Sequence, residues 1–434
     1  MDTPRSALLK YFHNTSWLLV GRVGRMALNV GVGIVVARYL GPVGYGDLNF
    51  AVSFVALFSC LSDMGLESIL LRDLVQMREG RDALLGTAFG MRLVGAIVQM
   101  ALAVSMVLLL EHGPALCPLV AVVALGVLFH PFQVIVSFLH SEVRGRHVAL
   151  TEFLASGVNN ALRIGLVLAG SALIWFGWSI ALEAAVMAAV LVWFYKAKGL
   201  RLRQWRFVGD RAKTLLGEAW PLILSGVMVM LYMRIDQVMI MEMAGPDAVG
   251  LYAAAVRISE ILYFVPLLMV NSVSPALINA RKTSQAHFEH RMQQLLDFLF
   301  VFSVAVAIPM SLGGDFLIAL AFGEAYGGAG PSLTILAWTG VFVSLGVASG
   351  QWLIIENLQI WSMYRTACGV VVNIALNCYA IPRYGIEGAA VSTVISYAMA
   401  VYFCMFPVQK LRLLRSQITR TLMLHRLWRR NDSE

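Results

Sequence analysis

The chain has 434 residues, 59% of them hydrophobic and only 13% charged, with a formal net charge of +8. A soluble protein carries roughly twice that share of charge, so this composition excludes a water-soluble fold. Apolar runs of roughly 20 residues, each long enough for a ~30 Å hydrocarbon core, recur along the whole length. They predict an all-α polytopic membrane protein.

Twelve spans are predicted. The first two, 16–38 and 46–66, flank Gly41-Pro42-Val43-Gly44-Tyr45-Gly46. Pro fixes φ and Gly tolerates φ > 0, so this is strong turn chemistry. A basic connection (Arg72, Arg78, Arg81) leads to a span at 84–110, and Glu111-His112-Gly113-Pro114 turns the chain into a fourth at 116–139. Arg144, Arg146 and His147 precede spans at 149–170 and 173–195. The connection from Lys196 to Lys213 then holds seven basic residues. The seventh span, 217–243, ends at Gly245-Pro246-Asp247-Ala248-Val249-Gly250, a copy of the first turn 204 residues later. Spans follow at 249–278, 290–312, 331–354, 362–381 and 387–407, and the stretch from Gly313 to Gly330 reads as the longest outer connection.

Lys and Arg gather in alternate connections and in the tail, which orients both termini toward the cytoplasm. Six spans separate the repeated turns, so the halves share one orientation. The predicted division is a six-helix lobe over 1–195, a basic linker over 196–213, a second six-helix lobe over 214–408 and a basic amphipathic tail over 409–434. Seven basic residues between Lys410 and Arg430 alternate with Leu411, Leu413, Leu414, Leu422, Met423, Leu424 and Trp428, the pattern of a helix lying on an anionic leaflet. Such basic clusters flanking spans serve topology rather than nucleic-acid binding. The five cysteines, Cys60, Cys117, Cys368, Cys378 and Cys404, lie in or beside apolar runs without metal-ligand spacing, and free thiols are expected.

Three stretches carry a resemblance: "ARYLGPVGYGDLNFAVSFVALFSCLSDMGLESILL" from Ala37, "DQVMIMEMAGPDAVGLYAAAVRISEILYFVP" from Asp236, and "VVNIALNCYAIPRYGIEGAAVSTVISY" from Val371. They resemble the first, the seventh-eighth and the last hairpins of the polysaccharide flippases, a branch of the multidrug/oligosaccharidyl-lipid/polysaccharide (MOP) exporter superfamily. The resemblance implies two six-helix lobes in a V. It implies alternating-access flipping of an undecaprenyl-pyrophosphate-linked oligosaccharide across a bacterial inner membrane, for O-antigen or exopolysaccharide synthesis. Polymerase or assembly proteins are the implied partners, and no cofactor is expected beyond a coupling Na⁺ or H⁺.

Charges inside spans are costly and serve function by default. Arg22 and Arg25 lie one turn apart in the first span, Arg92 in the third, Arg163 in the fifth, Arg234 in the seventh and Arg257 in the eighth. Arg recognises phosphate bidentately without losing its proton, so Arg22, Arg25, Arg234 and Arg257 are the leading candidates to hold the diphosphate in a cationic cavity. Arg92 and Arg163 rank behind them. The competing reading is internal pairing of Arg257 with Glu260 and of Arg234 with Asp236. Arg22 and Arg25 have no local carboxylate. Shifted by 204 residues, none of these arginines meets another charge, which favours an asymmetric shared site. Asp236, Glu260 and Glu183 are the candidate ion-coupling acids. Asn373 and Asn377, spaced i,i+4, suit hydrogen bonding between helices. A multidrug antiporter of the same superfamily is the nearest alternative. A membrane polysaccharide polymerase is remote, because the longest outer connection offers only Asp315 and Glu324; no enzyme activity is expected.

Overall fold

A computed structural model describes residues 4–76, 80–110, 116–142, 144–261 and 263–423, with side chains from Gly24 onward. Among the described residues there is no strand. The helices are α1 (Pro4–Leu57), α2 (Cys60–Asp63), α3 (Leu66–Gln76), α4 (Arg81–Leu109), α5 (Leu116–Gly126), α6 (Val134–Ser141), α7 (Gly145–Leu168) and α8 (Leu173–Ala197). They continue as α9 (Gly209–Ile261), α10 (Phe264–Thr283), α11 (Gln285–Leu312), α12 (Gly314–Phe322), α13 (Gly330–Leu336), α14 (Thr339–Ile355), α15 (Ile360–Val401) and α16 (Arg412–Leu422).

Among the described residues, seven helical stretches are long and apolar enough to cross a membrane, or eight if the bent pair α13–α14 counts as one span. Three of the seven, Gly24–Gln76, Gly209–Thr283 and Ile360–Met405, run 53, 75 and 46 residues, far beyond the ~20 that one crossing needs. Within them the long helices α1, α9 and α15 are each broken by one glycine outside the helical region: Gly41 (φ 67°, ψ 175°), Gly245 (φ 85°, ψ 179°) and Gly385 (φ 58°, ψ −138°). Pro42 and Pro246 follow the first two, and proline disfavours the α region for the residue before it. Only glycine enters positive φ without strain, so both hairpins form where the repeat predicts turns. The chain is a multi-pass helical membrane protein.

Helix packing separates two compact units. Unit 1 holds Met1–Leu40 and Ala51–Met230; unit 2 holds Gly41–Phe50 and Leu231–Glu434. In unit 1, Leu70 of α3, Leu85 of α4, Phe138 of α6, Tyr195 of α8 and Leu215 of α9 share one apolar core. The basic connection is strapped to α4 and α8: the Val208 amide donates to Thr87 Oγ1 of α4 (3.0 Å) and Trp205 Nε1 donates to the Tyr195 hydroxyl of α8 (3.0 Å). In unit 2, Leu277, Phe288, Leu299, Leu345 and Ile418 form the core. The two repeated turns meet there reciprocally. A Cβ on Gly46 would run into the Pro246 carbonyl, and one on Gly250 into the Pro42 carbonyl.

The stretch from Gly313 to Gly330 contains the apolar helix α12. Two expectations are corrected. Helix α16 does not offer its apolar face to lipid: Leu414 and Ile418 are fully buried in the unit 2 core, and Gln417 Nε2 donates to the Glu289 carbonyl (2.8 Å). Leu424 and Trp428 lie outside the described residues. Cys368 and Cys404 are not free thiols but form a disulfide. Sequence spacing cannot show this, because the two cysteines are 36 residues apart.

Candidate functional site

Among the described residues, polar groups interrupt the apolar packing of both units. One cluster in unit 2 centres on Asp236. Asp236 and Tyr252 lie nine and seven residues either side of Gly245, and Asn377 and Thr393 lie eight residues either side of Gly385. At 1.5 Å per residue, all four sit roughly 12 Å along their helices from the turns, so the two hairpins bring them to one level. Asn377 Nδ2 donates to Asp236 Oδ1 (2.6 Å), while the hydroxyls of Thr393 (2.7 Å) and Tyr252 (3.0 Å) donate to Oδ2. Asn373 Oδ1 accepts from Asn377 Nδ2 behind them (3.2 Å). All four residues that contact or carry the carboxylate are buried. Burying an ion is costly unless it is hydrogen-bonded, and here neutral donors do that work.

This arrangement is complete in two protonation states. Thr393 has one hydroxyl proton and two acceptors in reach, Asp236 Oδ2 at 2.7 Å and its own Ala389 carbonyl at 2.8 Å. With Asp236 ionised, the hydroxyl donates to the carboxylate. With Asp236 protonated, the acid donates to Thr393 Oγ1 and the hydroxyl turns to Ala389. Neither state strands a donor. Beside the carboxylate lies a cavity of about 40 Å³ bordered by Tyr232, Gln237, Glu260, Tyr263 and Tyr397, room for a water or two.

Of the predicted residues, Glu260 therefore joins Asp236 at one cavity. Arg234 and Arg257 are half-buried in the same unit, and the partners of the Asp236 oxygens are Asn377, Thr393 and Tyr252, not Arg234. Asn377 bonds between helices as its spacing predicts. Tyr252 and Thr393 were not foreseen; their distance from the two glycine turns is the signal that points to them.

In unit 1 the predicted residues are dispersed among partners. Arg25 is not without a carboxylate: its Nη1 meets Glu152 Oε2 of α7 at 2.5 Å, with both side chains about one-third exposed. Glu183 does not stand alone, because Asn159 Nδ2 donates to its Oε2 (2.5 Å). Arg163 Nε donates to Ser179 Oγ (3.1 Å) and Asn160 Nδ2 to Asn29 Oδ1 (2.7 Å). Helix α7 is thus stitched to α8 and α1 by polar groups. Arg92 is 4% exposed and borders a cavity of about 340 Å³ with Glu67, Gln133, His140 and Glu152. The side chain of Arg22 lies outside the described residues. No group of three or more His, Cys, Asp or Glu residues that would hold a metal occurs among the described residues.

At an end of unit 1 beyond the spans, Lys198 Nζ lies 2.6 Å from Glu142 Oε2 and 4.7 Å from the Phe138 ring centroid. The Lys198 hydrogen bond, with Lys198, Arg144 and Arg81 nearby, holds the Glu142 carboxyl below its ordinary range.

Comparison with known proteins decides the family. The family model described as "Polysaccharide biosynthesis protein" matches residues 11–279, more than half of the chain. The chain belongs to that family. It is the polysaccharide flippase branch of the MOP exporters that the three stretches resemble, and a second model, MatE, matches residues 221–379. A curated relative is the "Probable low-salt glycan biosynthesis flippase Agl15" of Haloferax volcanii, 24% identical over 219 residues, covering 50% of this chain and 45% of the relative. The chain spans about half the length of the curated relatives it matches. Among solved structures, an inward-facing multidrug resistance MATE family transporter of the MOP superfamily superposes with a TM-score of 0.76 at 18% identity, covering 92% of this chain and 96% of that one. The lipid II flippase MurJ in an inward closed conformation gives 0.73 at 13% identity, covering 96% and 93%. These likenesses place the family member in the MOP fold. The relatives named are flippases and transporters, not enzymes.

Proposed function

We propose that the chain is a flippase that carries an undecaprenyl-pyrophosphate-linked oligosaccharide across a bacterial inner membrane for surface polysaccharide synthesis. The observation that carries this reading is the family match over residues 11–279. In the proposed topology, twelve spans form two six-helix lobes, over 1–195 and 214–408, with both termini cytoplasmic and access alternating between the two faces. Each overlong helical stretch then supplies two crossings, at Gly41, Gly245 and Gly385.

Arg22, Arg25, Arg234 and Arg257 are the proposed diphosphate contacts. Arg25 and Glu152 remain partly exposed, so Arg25 can exchange its carboxylate for a phosphate oxygen at modest cost. Arg163, bonded to Ser179, is proposed to hold α7 on α8. Asp236 is the proposed coupling acid. Its cluster accommodates a proton by redirecting Thr393, and its carboxylate, phenol and hydroxyl oxygens also suit a small monovalent cation.

The test is flipping by purified protein in liposomes that contain a short-chain lipid-pyrophosphate oligosaccharide, read by an added glycosidase. Flipping that collapses in Arg25→Ala and Arg257→Ala, with melting temperatures retained, is the expected result. Flipping that survives both substitutions keeps the function and overturns the contacts. The MatE match over residues 221–379 favours a second reading, cation antiport. Export of a cationic dye without flipping of any lipid-linked glycan would establish it instead.

A further inference from the structure

The cavity of about 340 Å³ in unit 1 meets the transport scheme above only through Glu152, the partner of Arg25, and its lining is chemically unusual. Arg92 of α4 is 96% buried, being 4% exposed, and its Nε–H has no acceptor. A buried donor without an acceptor is costly, so such a group calls for a ligand or a role. Among the described residues its guanidinium meets no carboxylate within ion-pair distance; Asp63 and Glu67 are the acids whose fields reach it. Around the same space stand Glu67, Gln133, His140, Glu152 and the apolar Met187. Glu152 gives one oxygen to Arg25, which leaves Arg92 and Glu67 as the balanced, unjoined charges of the cavity.

That balance selects a ligand class. A bare anion would gain Arg92 but meet Glu67; a bare cation would meet the reverse. A net-neutral zwitterion, with an oxyanion for Arg92 and an N–H donor for a carboxylate, satisfies both. Position adds the source. Glu67 lies in the first turn of α3, His140 near the end of α6 and Gly145 at the start of α7, close in sequence to Arg72 of α3, Arg81 at the start of α4, and Arg144 and Arg146 around the start of α7. These helix ends are at headgroup depth if basic connections mark the inner leaflet. We infer that this cavity binds a phosphoethanolamine group, presented by a phosphatidylethanolamine lipid, with Arg92 on the phosphate and Glu67 accepting from the ammonium.

Native mass spectrometry of the detergent-solubilised full chain tests this with three lipids: phosphatidylethanolamine, phosphatidylcholine, whose ammonium has no N–H, and phosphatidylglycerol, which has no ammonium. The expected result is a phosphatidylethanolamine adduct that the other two lipids do not form. It weakens roughly tenfold or more, the loss of one charge-assisted hydrogen bond, in Glu67→Gln and in Arg92→Gln. Glu67 is exposed, so Glu67→Gln folds even if Arg92→Gln does not. Free phosphoethanolamine separates the sources. If it raises the melting temperature of the native chain but not of Glu67→Gln, while the lipid fails to bind, the class stands and the occupant is soluble. Equal binding of all three lipids, phosphatidylethanolamine binding unchanged in Glu67→Gln, or binding of neither probe overturns the inference.

Discussion

Asn377 donates to Asp236 across 2.6 Å in an interior where both groups are buried. Replacing it with Ala leaves one carboxylate oxygen without its donor, and hydrogen bonds to charged groups are worth about 1.5–3 kcal/mol. Asn377→Ala is therefore expected to lower the melting temperature of the purified protein in detergent. Asp236→Asn, nearly isosteric and uncharged, is expected to lower it far less, because it removes the buried charge together with the need to satisfy it; a larger loss in Asp236→Asn would overturn that order. At the surface, Glu142 titrates in the opposite direction to a buried acid. Its folded carboxyl is held below the ordinary range by Lys198, so its contribution is fully present above the unfolded value of about 4.3 and is lost as pH falls through the depressed folded value. The pair is partly exposed, with Glu142 at 41%, so the contribution stays within about 1 kcal/mol. Unfolding followed between neutral pH and pH 3 should lose a small acid-labile increment in the native chain that Glu142→Gln lacks at every pH.

The repeated turns use two glycines for two different reasons, and the difference is measurable. Gly245 takes positive φ with extended ψ but has open space where a Cβ would stand, so Gly245→Ala meets only backbone strain, about 1–3 kcal/mol in this nearly glycine-only region. Gly250 is helical, and its Cβ would run into the Pro42 carbonyl, just as that of Gly46 would meet Pro246. Backbone cannot rotate away as a side chain does, so Gly250→Ala and Gly46→Ala should cost at least the upper part of the 1–3 kcal/mol of overpacking. Melting temperatures of the three variants check the order, and equal losses would count against reciprocal packing. The hairpins themselves were legible in the sequence, because Gly-Pro between apolar runs leaves the backbone few choices. Helix α12 was not: Phe316, Leu317, Ile318 and Leu320 are too few for a span, and a short apolar run reads equally as connection or helix. Nor was the docking of α16, since Leu414 and Ile418 have the same spacing whether they face lipid or a neighbouring helix.

Across the whole chain, what stayed illegible was partnership at long separation. Arg25 and Glu152 lie 127 residues apart, and Asp236 and Thr393 lie 157 apart; helical period places each residue on a face but does not say which face it meets. The unequal charges of the two repeats carried more, because a scaffold that duplicates while Asp236 and Arg257 do not suggests that these two serve transport rather than folding. If so, their tasks separate. On the proposed scheme, cation binding at Asp236 and substrate binding through Arg257 would be linked only by a coupling free energy, and such a coupling is reciprocal. Asp236→Asn is expected to bind the lipid-linked diphosphate with the affinity of the cation-free native chain, yet to lose any acceleration of flipping by an imposed proton or sodium gradient. Arg257→Ala is expected to bind the diphosphate roughly tenfold or more weakly, the loss of one charge-assisted contact, while still binding the cation. Gradient-dependent flipping and equilibrium lipid binding, measured on both variants with folding verified by melting, decide the matter. If each substitution removes both properties, the acid and the arginine form one inseparable site, and the asymmetry of the repeats reflects that site rather than a division of labour.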